Sequence, residues 1–337
     1  MRTLPTAIVA IALAALALVR AGTAQADGGP HGGYSATTDS CAACHRAHTA
    51  PAAKLLIGAN TALCLTCHGT AATGAATNVT DGYYEASNYG TLNAGLNGGG
   101  FTNAKQDASL GGTATSGPVT STHSVQGLPG YSNAATMWGA GAINSGAGSA
   151  FDLYCTSCHD PHGSSNYRLI KTTVNGVGVT VTRTDEATKS YTSPTYYKPA
   201  AGTGQWEISS LCGACHTRYM ATAGSSGETT SGDSIYSYRH RINAPSGATV
   251  NGITYTFPTG ISLPVSTVNG GAPALPPSDN RSLVCLTCHY AHGSKAAMGS
   301  YSGGVAWPGG STTPNGNARS SLLRLDNRGV CENCHAK

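Results

Sequence analysis

The segment CTSCHDPHGSSNYRLI, residues 155–170, holds two cysteines and two histidines within eight positions. Two residues separate Cys155 from Cys158, His159 follows directly, and His162 comes three residues later. C-x-x-C-H is the attachment motif of c-type haem. Two thiols at this spacing can bind both vinyl groups of one porphyrin, and the adjacent histidine can ligate the iron. The second histidine requires an explanation of its own.

The same motif occurs six times and accounts for every cysteine of the chain. The twelve cysteines are Cys41, Cys44, Cys64, Cys67, Cys155, Cys158, Cys212, Cys215, Cys285, Cys288, Cys331 and Cys334. The histidines that follow each pair are His45, His68, His159, His216, His289 and His335. Zinc sites, thiol redox pairs and disulfide frameworks also use paired cysteines, but none of them needs a histidine after every pair. We therefore expect six c-type haems, with these cysteines as thioether ligands and these histidines as proximal iron ligands.

The histidines that remain equal the number of distal ligands that six haems need. They are His31, His48, His123, His162, His240 and His292. Beyond the N-terminal leader only three methionines remain, which is too few for histidine–methionine ligation throughout. The sequence thus predicts two histidines at every iron. A solvent-exposed histidine is the alternative for His123 and His240.

Three motifs are doubled to C-x-x-C-H-x-x-H, and each is followed by a plain C-x-x-C-H. On a helical turn His159 and His162 would lie on one face, about 4.5 Å apart along the axis. The axial ligands of one iron lie on opposite faces of the porphyrin, so the second histidine must ligate a neighbouring haem. We expect His48, His162 and His292 each to ligate the second haem of their own module.

A lone histidine precedes each doubled motif, so the chain divides into three modules of one order. We expect a single hexahaem domain over residues 27–337, with modules at about 27–110, 111–230 and 231–337. The lone histidines His31, His123 and His240 begin these modules.

Residues 1–26 are expected to be a secretory signal peptide. Arg2 precedes a thirteen-residue apolar run, residues 7–19, and the small-x-small sequence Ala24-Gln25-Ala26 follows. A membrane span needs about 20 apolar residues, so a retained membrane anchor is the less favoured alternative. The protein is thus expected to be secreted to the cell surface or beyond, with the periplasm as the alternative.

The composition indicates a small side-chain core. The chain has 45 glycines but only 3 Phe and 3 Trp, and such a chain buries little apolar area to offset its backbone entropy. Haems would fill the interior. We expect mostly irregular coil wrapped around a chain of haems, with short helices at the haem motifs and a few short β-hairpins. Residues 171–184 predict a hairpin that turns at Asn175-Gly176, and residues 251–270 a second strand pair. Residues 69–154, which lack cysteine, predict a long surface loop or partial disorder.

Charge gives no indication of a nucleic-acid partner. Without Arg2 and Arg20 of the leader, the chain has 17 basic and 15 acidic residues, so its net charge is small. Some of the basic residues are candidates to pair with haem propionates: Arg168, Lys171, Arg239, Arg241, Arg281 and Arg324.

The order CTSCHDPHGSSNYRL followed by LCGACH resembles the doubled C-x-x-C-H family of multihaem cytochromes. Six motifs in one exported chain of this length also resemble the OmcS-type extracellular cytochromes. That resemblance implies a homopolymeric filament, or nanowire, in which His31 ligates a haem of the adjacent subunit. Other redox cytochromes or extracellular electron acceptors would be the further partners.

Two other functions remain open. The chain can be a monomeric periplasmic or outer-surface shuttle or conduit cytochrome, which would form discrete particles instead of filaments. A multihaem reductase needs an iron with an open position. The sequence has no C-x-x-C-K motif, and its histidine count leaves no vacancy. We therefore predict an electron carrier without catalytic residues.

Overall fold

The structure is a computed structural model that describes residues 31, 38–70, 75–85, 92–106, 112, 115–133, 150–181, 207–217, 249–250, 253–254, 263, 266–267, 281–297, 321–326 and 329–335. Most of these residues are in coil, turns and bends, interrupted by short helices and two-residue strands. The predicted fold class is confirmed.

The helices lie at the predicted haem motifs. They are α1 (Asn60–His68), α2 (Cys155–Cys158), α3 (Glu207–Gly213), α4 (Cys285–Cys288) and α5 (Gly329–Glu332). A 3₁₀ helix, Thr38–Ala43, carries the first cysteine of the first motif. The hydroxyl before the second cysteine closes the single-turn helices, since the Tyr154 amide donates to Ser157 Oγ at 3.0 Å and the Val284 amide to Thr287 Oγ1 at 3.0 Å. Such a bond satisfies an amide that the helix itself cannot.

The strands form two-stranded antiparallel pairs in the described part of the chain. They are β1 (Thr77–Asn78) with β2 (Tyr83–Tyr84), β3 (Asn103–Ala104) with β4 (Gly117–Pro118), β5 (Ser121–Thr122) with β12 (Gly293–Ser294), β6 (Thr173–Val174) with β7 (Val177–Gly178), β8 (Thr249–Val250) with β9 (Ile253–Thr254), and β10 (Ser266–Thr267) with β11 (Arg281–Ser282). Five of these pairs join segments within 20 residues of each other. The β5–β12 pair instead aligns Thr122 with Gly293 and so connects distant parts of the chain.

The hairpin predicted at Asn175-Gly176 is confirmed. Val174 pairs with Val177 across the turn, and the two turn residues have φ of 48° and 78°, as a two-residue type I′ turn requires. The prediction for residues 251–270 was correct in kind but wrong in pairing. β9 pairs with β8, which begins before that range, and β10 pairs with β11, which lies beyond it.

The apolar core is divided into small clusters. One joins Ile170, Val174, Val179, Val181, Ile208, Ala214, Val284 and Leu286. A second joins Leu263, Leu283, Leu325 and Val330, and a third Phe101, Val125 and Leu128. The first cluster combines residues of the second and third predicted modules, so side-chain packing crosses the boundary between them.

The described residues of the long segment 69–154 do not form a surface loop. Tyr84, Leu96, Phe101 and Ala104 are buried, and β3 pairs with β4. The prediction of a surface loop or of disorder was therefore wrong for these residues. The high glycine content suggested a loop. In the structure, however, the glycines at 98–100 allow the backbone to lie directly against neighbouring residues.

The predicted leader, residues 1–26, lies outside the described residues. Among the described residues, none belongs to a helix with the length and apolar character of a membrane span.

Candidate haem sites

Four pairs of histidine rings face each other across similar distances. The ring centres are 6.1 Å apart for His31 and His68, 6.1 Å for His45 and His162, 6.2 Å for His123 and His216, and 6.4 Å for His159 and His292. Each pair combines one predicted proximal histidine with one predicted distal histidine. The structure therefore brings together eight of the twelve histidines that the sequence singled out.

This spacing fits one metal ion between the two rings. A metal–imidazole bond is about 2 Å long and the ring centre lies roughly 1.2 Å behind the nitrogen, so rings on opposite sides of an ion have centres roughly 6 Å apart. A tetrahedral zinc site would need about four ligands around one point. No group of three or more His, Cys, Asp or Glu side chains is placed in that way among the described residues. The paired rings fit a haem.

Hydrogen bonds fix which ring nitrogen faces the pair partner. In five of the eight paired histidines Nδ1 lies 2.6–3.4 Å from a backbone carbonyl oxygen: His31, His45, His123, His159 and His292. The unpaired His289 makes the same contact at 2.7 Å. A carbonyl only accepts, so Nδ1 carries the hydrogen and Nε2 keeps the lone pair that a metal needs.

Burial keeps the rings neutral. It lowers the pKa of His68, His159 and His289, that of His123 to about 4 and that of His292 to about 3. A neutral imidazole is the form that ligates a metal. These rings are therefore ready to ligate at neutral pH.

The pairing of the doubled motifs differs from the sequence prediction. His162 faces His45 of the preceding doubled motif, and His292 faces His159. His216, from the second motif in the module of His162, faces His123 instead. The His45–His162 and His159–His292 pairs each join residues more than a hundred positions apart. The order of the motifs in the sequence gave no indication that they would pair in this way.

The helical turn predicted for His159 and His162 was also wrong. Helix α2 ends at Cys158, and His159 has extended backbone with φ −108° and ψ 142°. A turn over residues 160–163 follows, closed by a bond from the Gly163 amide to the Asp160 carbonyl. The two rings nonetheless serve different sites, as predicted, because the extended residue and the turn aim them at different partners.

His31, which the resemblance assigned to a haem of an adjacent subunit, has a ring partner within this chain. Its ring faces His68 of the same chain, and its Nδ1 lies 3.2 Å from the Pro161 carbonyl oxygen. The contact with the second doubled motif holds the N-terminal segment in place, although the sequence DGGPHGG around His31 suggested no packing of its own.

Of the four remaining histidines, His48 and His289 have no opposing ring in the part of the chain that the structure describes, and His335 is exposed. His48 is exposed, and His289 is half-buried with Nδ1 bonded to the Ser321 carbonyl. The predicted distal ligand His240 lies outside the described residues, as do Arg239 and Arg241.

Helices of successive modules bring cysteines of different motifs together. The thiol of Cys64 is in hydrogen-bonding contact with that of Cys155, and Cys212 with Cys285. The Asn60 amide donates to Thr156 Oγ1 at 2.7 Å across the α1–α2 contact. The second motif of one module thus adjoins the first motif of the next.

Arg324 is fully buried, whereas the other candidate propionate partners whose burial the structure describes, Arg168 and Lys171, are partly exposed. It has no exposed surface, and it donates to the Leu286 carbonyl at 2.6 Å and to Asn97 Oδ1 and O at 3.3 and 3.2 Å. The guanidinium lies over the Tyr290 ring, 4.7 Å from its centre. Among the described residues no carboxylate pairs with it, and its positive charge helps to lower the pKa of His289.

The doubled CXXCH motif is the family whose model matches the chain, over residues 35–73 and 149–177. These segments contain the first three haem-attachment motifs. This chain resembles a multihaem c-type cytochrome. Its doubled CXXCH motifs indicate binding of c-type haem.

One solved structure found is the outer membrane cytochrome S filament from Geobacter sulfurreducens. It has 18% sequence identity and a TM-score of 0.41, and the match covers 88% of this chain and 98% of that chain. No curated protein matches the sequence.

Proposed function

We propose that the protein is a secreted electron carrier that holds six c-type haems, each with two histidine ligands. The observation that supports this proposal best is the set of four histidine pairs with ring centres 6.1–6.4 Å apart. In each pair one ring belongs to a C-x-x-C-H motif, so thioether attachment and axial ligation would act on the same group. Haem iron supplies reversible one-electron chemistry when it is bound.

The doubled motifs connect these sites in series. His159 faces His292, whereas His162, three residues further on, faces His45. One short segment therefore holds a ligand for each of two neighbouring sites. Because only two residues separate the two ligands, the distance between the two sites is nearly fixed, and transfer between them needs no movement of the chain.

The pattern in which the histidines pair also supports a homopolymer. The second histidine of a doubled motif faces the proximal histidine of the preceding doubled motif, as His292 faces His159 and His162 faces His45. His48 belongs to the first doubled motif of the sequence. At the other end, the described residues place no ring opposite His289. A second copy would satisfy both ends, with its His48 facing His289 of the first copy.

We therefore propose that His48, not His31, completes a site across the interface between copies. The exposed position of His48 leaves it available for that contact. Repeating the contact head to tail generates an open filament instead of a closed dimer. Such a filament would continue the series of sites from one subunit into the next.

Replacement of His48 by alanine tests this proposal in the full, haem-loaded protein. We expect discrete particles by electron microscopy and one high-spin iron per chain by electron paramagnetic resonance. His162→Ala is the matched control, because it removes the same position of the second doubled motif inside the chain. It should give one high-spin iron but preserve the filament. Filaments of unchanged axial repeat and entirely low-spin haem in His48→Ala would contradict the proposal.

The position of His289 also supports a second candidate function. Without a second copy, the iron at His289 would have an open position, and multihaem reductases bind their substrates at such an iron. This candidate predicts a discrete particle in the unmodified protein, and binding of carbon monoxide to one reduced iron in six. If the unmodified protein forms filaments that do not bind carbon monoxide, the candidate is wrong.

A further inference from the structure

Three pairs of consecutive residues have left-handed backbone although none of them is glycine. They are Lys54–Leu55 (φ 60° and 59°), Arg168–Leu169 (φ 58° and 55°) and Ser321–Leu322 (φ 48° and 61°). Left-handed backbone is unfavourable for a residue with a Cβ atom. Such residues persist where surrounding contacts hold them, and they concentrate at functional sites. We call these three pairs the left-handed clamps.

Each clamp lies against the predicted proximal histidine of a doubled motif. The Nδ1 atom donates to the carbonyl of the first clamp residue: His45 to Lys54 at 3.0 Å, His159 to Arg168 at 2.8 Å and His289 to Ser321 at 2.7 Å.

The backbone next to the histidine makes two more bonds that recur in all three copies. The amide after the histidine donates to the carbonyl of the second clamp residue, at 2.8 Å for Arg46, 2.7 Å for Asp160 and 2.7 Å for Tyr290. The carbonyl of the second cysteine accepts from the amide two positions beyond the clamp, at 3.0, 2.9 and 2.9 Å. Three hydrogen bonds thus join each motif to its clamp.

The clamps form regardless of the length of the intervening chain. The histidine and its carbonyl acceptor are 9, 9 and 32 residues apart in the three copies. The third copy reproduces the same bonds after a much longer connection, so a short loop is not what imposes the left-handed backbone. What the three copies share is the same set of three hydrogen bonds, and one of these bonds is made by the imidazole.

We propose that the left-handed clamps are positioning elements that orient the proximal imidazoles of the doubled motifs and lower the reduction potential of the irons they ligate. This inference rests on the proposed function. A hydrogen bond from Nδ1–H to a carbonyl fixes the ring and makes Nε2 a stronger donor. A stronger donor stabilises ferric over ferrous iron.

The plain motif of α1 differs in this respect. His68 Nδ1 lies 3.1 Å from the hydroxyl of Thr77, and no clamp supplies a carbonyl there. A hydroxyl can accept or donate, so it constrains the imidazole less than a carbonyl does. The two kinds of motif therefore give their irons different surroundings.

Lys54 offers the sharpest test, because its exposed side chain makes no hydrogen bond or ion pair within the described residues. Proline fixes φ near −65°, so Lys54→Pro must displace the carbonyl from His45. Glycine adopts left-handed backbone freely, so Lys54→Gly keeps the carbonyl in place and serves as the matched control. Both are measured in the haem-loaded full chain by electron paramagnetic resonance during a potentiometric titration.

We expect one low-spin signal in six to change its g values in Lys54→Pro and its potential to rise. Loss of such a supporting contact typically changes metal affinity or activity by about 10- to 100-fold. A tenfold change in the ferric–ferrous equilibrium corresponds to about 59 mV for one electron. Lys54→Gly should match the unmodified protein. Unchanged signals in the proline variant, or equal shifts in both variants, would overturn the inference.

A second variant covers the case in which Lys54→Pro fails to mature. Lys54→Ile retains the amide and disfavours left-handed backbone through its branched Cβ; it should shift the same signal by a smaller amount. An unmodified protein without haem absorbance would refute the proposed function itself. Six attached haems with no effect of Pro or Ile would refute the clamps alone.

Discussion

Gly98 lies so close to His292 that a methyl group in its place should displace the imidazole. A Cβ atom at this position would lie 2.8 Å from Nδ1 and 2.9 Å from Cε1 of the ring. The ring has little freedom to move away, because Phe101 stacks on it with centres 4.8 Å apart. The His292 amide also donates to the Gly98 carbonyl at 2.6 Å, so the two residues are held together.

The size of the effect follows from these distances. Carbon atoms in contact are about 3.5 Å apart or more, so Gly98→Ala requires the ring to move by roughly 0.7 Å. That is a third of a metal–imidazole bond of about 2 Å. We expect the site between His159 and His292 to lose low-spin ligation. The overpacking should also destabilise the fold by about 1–3 kcal/mol.

Electron paramagnetic resonance of the oxidised protein, together with denaturant unfolding, measures both effects. Gly98→Ala should show one high-spin iron per chain and a lower unfolding midpoint. Gly58→Ala is the matched control, because a Cβ at Gly58 meets nothing within 4 Å. The reasoning fails if Gly98→Ala retains six low-spin irons with an unchanged midpoint, or if Gly58→Ala gives the same loss.

Two further predictions concern stability. Burial raises the pKa of Asp81, but hydrogen bonds from Thr70, Asn103 and Asn78 outweigh it and hold the pKa below its usual value. The ionised group thus contributes stability above an ordinary carboxyl pKa of about 3.9, and this contribution is lost as the pH falls through the lowered pKa. Because Asp81 is only partly buried and its charge is screened by solvent, Asp81→Asn should cost about 0.5–1 kcal/mol in denaturant unfolding at pH 7. The difference from the unmodified protein should shrink in acid, and a constant difference would contradict this. Arg324→Lys keeps the charge but cannot reproduce three bonds from one planar group. Its unfolding free energy should fall by about 1–3 kcal/mol, and an unchanged value would show that these bonds contribute little.

The local chemistry of the sites was accessible from the sequence. The motif Cys155-x-x-Cys158-His159 predicted haem attachment, because the thiol spacing and the adjacent histidine are set within five residues. The turn at Asn175-Gly176 was predictable for the same reason, since the dipeptide itself favours the backbone that the turn needs.

The left-handed clamps were not accessible in that way. Left-handed backbone is usually anticipated from glycine or asparagine, and Lys54 and Leu55 are neither. Three similar short segments, KLLIG at residues 54–58, RLIKT at 168–172 and SLLRL at 321–325, were the only indication in the sequence. Their role depends on a carbonyl that reaches a histidine elsewhere in the chain.

The sequence by itself determined the number and position of the haem-attachment motifs and the predominance of irregular structure. Only the tertiary structure decided which histidines share a site, as His45 and His162 do across more than a hundred residues. It also placed the ring of His31 opposite His68 of the same chain. Thioether attachment depends on neighbouring residues, whereas two axial ligands must reach opposite faces of one group, so their pairing depends on the path of the whole chain.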